Sequence, residues 1–142
     1  MHLQTIGASL RPAPLIDHLD AFTASYLKTA FSCCPWHCSL DWRVDLHQSA
    51  YDRMVEDCAV FQKQVTSLIK VGFRKSTHPG LVPEERAGED FWYARNGARF
   101  PGRYWLLDCA EILSKIAVAF GPARLYVSDL DHLVYQVGAE DA

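Results

Sequence analysis

The sequence lacks the short motifs that identify the common enzyme classes. It contains neither G-x-x-x-x-G-K-[ST] nor G-x-G-x-x-G, the glycine-rich patterns whose backbone amides bind phosphate groups. The metalloprotease pattern H-E-x-x-H and the hydrolase pattern G-x-S-x-G are also missing. These absences remove the direct sequence arguments for a nucleotide-binding enzyme, a zinc protease or a serine hydrolase.

Long apolar runs are missing too, and no segment approaches the roughly 20 residues that a membrane-spanning helix needs. The N-terminal residues MHLQTIGASLRPAP have no basic region followed by an apolar run, so we predict no secretory signal. The five cysteines are an odd number and include no C-x-x-C pair. Together these features predict a cytoplasmic protein with free thiols and no membrane association.

Neither sign of charge is in large excess, since 14 Lys and Arg face 17 Asp and Glu. The net charge of -3 argues against broad electrostatic binding to nucleic acid or to anionic membranes. With 142 residues, of which 49% are hydrophobic, the chain has the size and composition of one globular domain. We therefore predict a single domain over residues 1–142.

Three segments have the periodicity of amphipathic helices. Residues 51–72 carry apolar side chains at every third or fourth position, and Gly72 is suited to the end of a helix. Residues 14–31 and 103–120 predict two further helices, and the second of these is apolar on nearly all sides, which predicts the most buried helix. Asp45 or Ser49 is expected to cap the long helix.

Alternating apolar and polar residues predict strands at 40–46 and, more weakly, at 2–6. RLYV and LVYQV flank the polar segment SDLDH and predict a terminal hairpin. The segment 76–104 contains three prolines and four glycines, and we predict a long loop with a hairpin around Asn96-Gly97. The order of these elements predicts an α+β fold with about three helices packed on a mostly antiparallel sheet.

The predicted hairpin combines aromatic rings with arginine, a composition that is enriched in protein interfaces. The same composition suits single-stranded nucleic acid, but the acidic residues at 84, 85, 89 and 90 argue against that ligand. In a third interpretation about half of these rings belong to the core. We predict a site for a protein partner formed by Phe91, Trp92, Tyr93, Arg95, Arg99, Phe100 and Arg103.

A cluster of thiols and imidazole at Cys33, Cys34, His37 and Cys38 offers an alternative site, because these groups are zinc ligands. His47 or Cys58 could complete the coordination. A second pair of ligands with matching spacing is missing, however. Packed or partly exposed thiols are therefore the preferred interpretation, and we predict no resident cofactor.

Two further groups have chemically active side chains in weak patterns. A nucleophilic triad of Cys38, His78 and Asp90 lacks any feature that marks a nucleophile. The acidic and histidine side chains within 129–132 are typical of a turn, because they bond to the nearby backbone. Neither group predicts an active site.

The combined prediction is a small cytoplasmic interaction protein that binds and inhibits or neutralises a macromolecular partner. By analogy alone, an immunity protein that neutralises a bacterial toxin or a phage inhibitor of a defence system has this profile. The alternative is a zinc-binding protein or enzyme that uses the 33–38 cluster with His47 or His78.

Overall fold

The structure, a computed structural model, describes residues 18–33 and 41–138. These residues form four helices and a two-stranded antiparallel sheet, which is an α+β arrangement. None of the described helices is both long enough and apolar enough to cross a membrane. The strand predicted at 2–6 lies outside the described residues, as does the start of the helix predicted at 14–31. The helices are α1 (Ala21–Ser32), α2 (Gln48–Gly72), α3 (Pro83–Arg95) and α4 (Leu107–Val118), and the strands are β1 (Ala123–Val127) and β2 (Val134–Gly138).

The longest helix, α2, confirms the helix predicted over 51–72 and begins slightly earlier. Its N-terminal cap is His47, whose Nδ1 accepts a hydrogen bond from the backbone N–H of Ser49 at 3.0 Å. The prediction of a cap at Asp45 or Ser49 was therefore wrong. The buried residues of α2 are Ala50, Tyr51, Met54, Cys58, Phe61, Val65, Ile69 and Gly72, which form the predicted apolar face.

The strand predicted over 40–46 was wrong, because the described part of this segment forms a turn. The Asp41 carboxylate accepts from the backbone N–H of Arg43 at 2.9 Å, and the Asp45 carboxylate accepts from the backbone N–H of Asp41 at 2.7 Å. Only Leu46 pairs like a strand residue, through a single parallel bridge to β2. Bonds from side chains to the nearby backbone therefore override the alternating pattern.

The segment 76–104 contains α3 where the sequence predicted a loop and a hairpin. Pro83 begins the helix and two glutamates follow it, and both features stabilise the start of a helix. Asn96-Gly97, predicted as the hairpin tip, ends α3 instead. Gly97 has a φ of 108°, the left-handed conformation that is common just after a helix.

Helices α1 and α3 approach each other closely because Gly88 has no side chain at their contact. A Cβ atom at Gly88 would overlap the backbone carbonyl oxygen of Phe22. Beside this contact, the Ser25 hydroxyl donates a hydrogen bond to the carbonyl of Glu85 at 2.7 Å. The missing side chain of Gly88 thus sets the distance between the two helices.

Helix α4 confirms a helix within the predicted range 103–120, but it is not the most buried one. Leu107 and Val118 are 71% and 53% exposed, respectively. The buried side of α4 packs against the C-terminal half of α2, where Cys109 lies next to Gly72. The apolar residues of α4 are therefore divided between the core and the surface.

The terminal hairpin is confirmed, with β1 antiparallel to β2 and Leu125 opposite Gln136. Between the strands, the Asp131 carboxylate accepts hydrogen bonds from the backbone N–H of Leu133 at 2.9 Å and from the Tyr135 hydroxyl at 2.6 Å. These bonds confirm that the polar segment is a turn.

A cluster of aromatic rings joins three helices in the core. Phe61 of α2 stacks on Phe91 of α3 with 4.1 Å between ring centroids, and Phe22 of α1 lies 5.8 Å from Phe61. Such rings bury large apolar areas and favour offset or tilted contacts. The core therefore lies among the helices, while the small sheet contacts the start of α2 through His47, which stacks on Tyr135.

We predict that Gly88→Ala destabilises the protein by about 1–3 kcal/mol, because the added methyl group meets backbone atoms that cannot rotate away. This loss exceeds the gain of up to about 1 kcal/mol expected from the better helix former. Urea unfolding followed by circular dichroism measures the change.

Gly80→Ala is the matched control for this variant, since no atom lies within 4 Å of a Cβ at Gly80. Its stability should stay within about 0.5 kcal/mol of the wild type. Equal stability of the two variants would contradict the close contact between α1 and α3.

Candidate interaction surface

The structure divides the residues of the predicted partner-binding site into a buried group and an exposed group. Because α3 is a helix, residues three or four positions apart share a face, whereas a hairpin arm would have alternated. The predicted residues therefore do not form one continuous surface. The buried group is Phe91, Trp92, Arg95 and Phe100, and the exposed group is Tyr93, Arg99 and Arg103.

Arg95 is 4% exposed and lies where three helices meet the end of α4. Its Nη1 forms an ion pair with the Asp57 carboxylate of α2 at 2.8 Å and donates to the Tyr26 hydroxyl of α1 at 2.9 Å. Its Nε donates to the carbonyl of Gly121 at 2.9 Å, and its Nη2 donates to the carbonyl of Phe120 at 3.1 Å. Arg95 thus connects α3 to α1, to α2 and to the chain just after α4.

The neighbours of Arg95 keep its guanidinium charged inside the protein. Burial lowers the pKa of an arginine, but Tyr26 and Asp57 outweigh burial and raise the pKa of Arg95 above its usual value. Burial also raises the pKa of Tyr26, so its hydroxyl stays neutral. The sequence-based prediction placed Arg95 on an exposed hairpin, whereas the structure commits it to contacts within the chain.

A second internal network surrounds Asp90, which is 2% exposed. Its carboxylate accepts hydrogen bonds from Nη2 of Arg86 and from Nε1 of Trp105, each at 2.8 Å. Burial raises the pKa of Asp90, and the hydrogen bonds from Arg86 and Trp105 oppose that shift. Asp90 therefore joins α3 to the loop before α4.

Of the triad considered from the sequence, His78 and Asp90 belong to the described residues, and each bonds to other partners. The Nε2 of His78 bonds to the carbonyl of Arg103 at 2.9 Å, while Asp90 is occupied by its own donors. Cys38 lies outside the described residues.

Within residues 18–33 and 41–138, no three His, Cys, Asp or Glu side chains are grouped to hold a metal ion. Cys33 is an exposed free thiol, whereas Cys34, His37 and Cys38 lie outside the described residues, so the zinc site stays a prediction. Cys58 is buried, and burial raises the pKa of its thiol well above its usual value. It therefore acts as a small apolar core residue.

A groove of about 490 Å³ lies between α1 and α3. Its α1 wall consists mainly of small residues at helical spacing, from Ala21 to Ser32, while the α3 wall carries longer side chains. The short side chains of α1 leave an open channel beside the close contact of the two helices. Three apolar or aromatic residues of the opposite wall, Leu81, Val82 and Tyr93, are 43%, 43% and 39% exposed.

Tyr93 belongs both to this groove and to the site predicted from the sequence. The Cys33 sulfur lies 3.5 Å from its hydroxyl oxygen, within hydrogen-bond distance. This contact, together with partial burial, raises the pKa of Tyr93 to about 12. The hydroxyl is therefore neutral near pH 7 and retains a proton that it can donate to a carbonyl or carboxylate of a ligand.

No protein family, characterised protein or solved structure matches this chain. The contacts, charges and exposed side chains of the described residues are therefore the basis for a functional hypothesis.

Two loops beside the groove are bonded into one unit, here called the loop platform (residues 72–78 and 101–106). Phe73 and Trp105 form an antiparallel bridge, and the backbone N–H of Arg74 donates to the carbonyl of Tyr104 at 2.8 Å. The Nε of Arg74 also donates to the carbonyl of Gly102 at 2.8 Å. These bonds hold the backbones of the two loops together, and they fix the side chain of Arg74 against the second loop.

Tyr104 lies at the junction between the loop platform and the groove. The guanidinium carbons of Arg86 and Arg103 lie 4.3 and 5.6 Å from the centroid of its ring, and the ring centroid of His78 lies 4.9 Å away. Cations are attracted to the face of an aromatic ring. Because Arg86 also lines the groove, the two surfaces are continuous.

The sequence-based prediction missed both the groove and the loop platform. It placed Leu81 and Val82 in a loop and assigned them no role. The distribution of acidic residues could have indicated the loop platform, since residues 58–83 and 91–107 contain neither Asp nor Glu. These two acid-free stretches meet at the bridge between Phe73 and Trp105.

We predict that Arg95→Lys destabilises the protein by about 2–4 kcal/mol. Lysine keeps the charge, but its single ammonium group cannot replace the three guanidinium nitrogens that donate to Asp57 and to the carbonyls of Phe120 and Gly121. Each buried acceptor left without a donor costs about 1–3 kcal/mol. Denaturant unfolding measures the loss. The control is Arg99→Lys at an exposed position, which should change stability by less than about 0.5 kcal/mol.

Proposed function

We propose that this protein is a small cytoplasmic binding protein that recognises a protein partner and blocks one of its functional surfaces. The groove between α1 and α3 is the proposed site, in place of the hairpin tip expected from the sequence. The observation that carries this proposal is the open channel of about 490 Å³ with partly exposed Leu81, Val82 and Tyr93 along one wall. Exposed apolar and aromatic side chains in a concave site are typical anchors of protein recognition.

The shape of the groove suits a helical segment of the partner. The small residues of α1 let a backbone approach closely, and the longer side chains of the opposite wall offer apolar contacts. In complexes of this kind, apolar residues three or four positions apart on the bound helix insert into the groove. Lys28 and Glu85 lie on opposite walls and supply the polar rim that such interfaces usually have.

The proposed inhibitory role rests on the analogy with immunity proteins and phage inhibitors. A protein that competes for a partner's surface needs an anchor and a rim but no reactive groups of its own, as in the immunity-protein comparison made from the sequence. The cytoplasmic location is supported by Cys33, Cys58 and Cys109, which are free thiols.

Filling the groove tests this proposal. Ala24 lines the channel, and Ala24→Trp places a bulky ring where the partner segment is proposed to lie. We expect tagged wild-type protein to capture a protein from extracts of its native cells that the variant fails to capture. Once that protein is purified, calorimetry should give roughly tenfold or weaker affinity for Ala24→Trp.

The matched control is Ala59→Trp, which introduces the same ring at an exposed position of α2 that does not line the groove. It should capture the partner as the wild type does, and thermal unfolding should confirm that both variants are folded. A partner that binds Ala24→Trp and the wild type equally well would show that the groove is not the binding site.

A further inference from the structure

The loop platform carries positive charge that the described part of the chain does not neutralise. Lys75 and Arg103 are exposed, and Arg74 uses its Nε on a neutral carbonyl. Within the described residues, none of these three side chains forms an ion pair. The two stretches that build the platform lie within residues 58–83 and 91–107, which contain no acid. The platform is therefore a local basic surface on a protein whose net charge is -3.

The groove next to the platform has a different charge pattern, in which the cations are balanced. Arg86 is paired with Glu89 at 2.8 Å and with Asp90 at 2.8 Å, and Glu85 faces the groove together with Lys28. A ligand that runs along the groove therefore meets a nearly neutral channel first. It meets an excess of positive charge only beyond Arg86, whose guanidinium lies over the ring of Tyr104 on the loop platform.

The junction between the two surfaces is fixed by short contacts. Arg86 lines the groove and also lies over the ring of Tyr104. The backbone N–H of Leu81 donates to the carbonyl of His78 at the end of the first platform loop, at 3.2 Å, so an apolar groove residue lies next to the basic surface. One extended or helical segment can thus contact both surfaces at once.

We infer that the partner segment is a peptide with apolar residues for the groove and a cluster of Asp or Glu at the end that lies over the loop platform. This inference rests on the proposed function and adds the chemical class of the ligand. Arg74 and Arg103 would bind the carboxylates through their guanidinium groups, and Lys75 would add a point charge. Such rim charges mainly accelerate association and make the affinity dependent on salt.

A nucleic acid fits this surface less well than an acidic peptide. Binding of single strands relies on aromatic rings that are free to stack with bases. The ring of Tyr104 is already surrounded by Arg86, Arg103 and His78. The groove has no excess of positive charge to bind phosphate groups, whereas a nearly neutral channel does not oppose the apolar part of a peptide.

A displayed library of random 16-residue peptides tests the inference before the natural partner has been identified. Peptides are selected on the wild-type protein and then sorted by whether Ala24→Trp still binds them. We expect the groove-dependent peptides to combine apolar residues at helical spacing with Asp or Glu concentrated at one end. Peptides that all bind Ala24→Trp equally would overturn the proposed function, and the inference with it.

The tightest groove-dependent peptide is then synthesised and its affinity is measured by fluorescence anisotropy. The double variant Lys75→Gln/Arg103→Gln should bind it roughly tenfold more weakly at 0.1 M salt, and raising the salt to 1 M should shrink that difference. The matched control Lys63→Gln/Arg124→Gln removes the same charges at exposed positions outside both surfaces and should bind within twofold of the wild type. Lys75→Glu alone provides a second variant with the same expected direction.

Two results would overturn the acidic assignment while leaving the groove proposal intact. One is a set of groove-dependent peptides without acidic enrichment, or with equal affinity for the platform variant and the control. The other is a labelled single-stranded oligonucleotide that binds more tightly than the selected peptide and loses affinity in Lys75→Gln/Arg103→Gln.

Discussion

The packing of the helices depends on one buried charge, the guanidinium group of Arg95. A buried cation is unfavourable unless it is paired and hydrogen-bonded, and here one carboxylate and three neutral oxygens surround it. These acceptors belong to α1, to α2 and to the residues just after α4. Because a guanidinium is planar and its donors point in fixed directions, the elements that supply the acceptors can meet α3 in few ways.

The same contact determines which side chains of α3 are left for recognition. Arg95 and Phe91, four positions apart, face the core, so the face with Arg86, Glu89 and Tyr93 is directed towards the groove. Close approach at Gly88 then brings the small residues of α1 opposite this face. The groove is thus a consequence of how the core is packed, and its walls are already in place before any ligand binds, which lowers the entropic cost of binding.

Sequence periodicity was sufficient to predict the elements whose apolar residues recur at regular spacing. Apolar residues recur every three or four positions in α2 and every second position in β1 and β2. A short stretch of sequence is therefore enough to predict each of these elements. Helix α3 was missed because Asn-Gly serves equally well in a hairpin turn and at the end of a helix. Pro83 and the glutamates after it marked the start of that helix, but the β-forming aromatic residues at 91–93 outweighed them.

Of the residues in the groove and the loop platform, the sequence-based prediction included only Tyr93 and Arg103. Burial of Arg95 depends on Asp57 and Tyr26, which lie 38 and 69 positions away in the chain, so no local pattern reports it. The contact at Gly88 is equally non-local, since it depends on the backbone of Phe22. The absence of acids from two separate stretches pointed to the loop platform, but the bridge that joins them was visible only in the fold.

A double-mutant cycle between Arg95 and Asp57 gives the most direct evidence on the buried charge. The free energy of unfolding is measured in urea for the wild type, Arg95→Ala, Asp57→Ala and the double variant. Side chains in one network couple by about 0.5–3 kcal/mol, and we predict a coupling of at least about 1 kcal/mol because the pair is 2.8 Å apart and Arg95 is buried. A coupling near zero, with Arg95→Ala as stable as the wild type, would contradict the buried guanidinium as the contact that organises the fold.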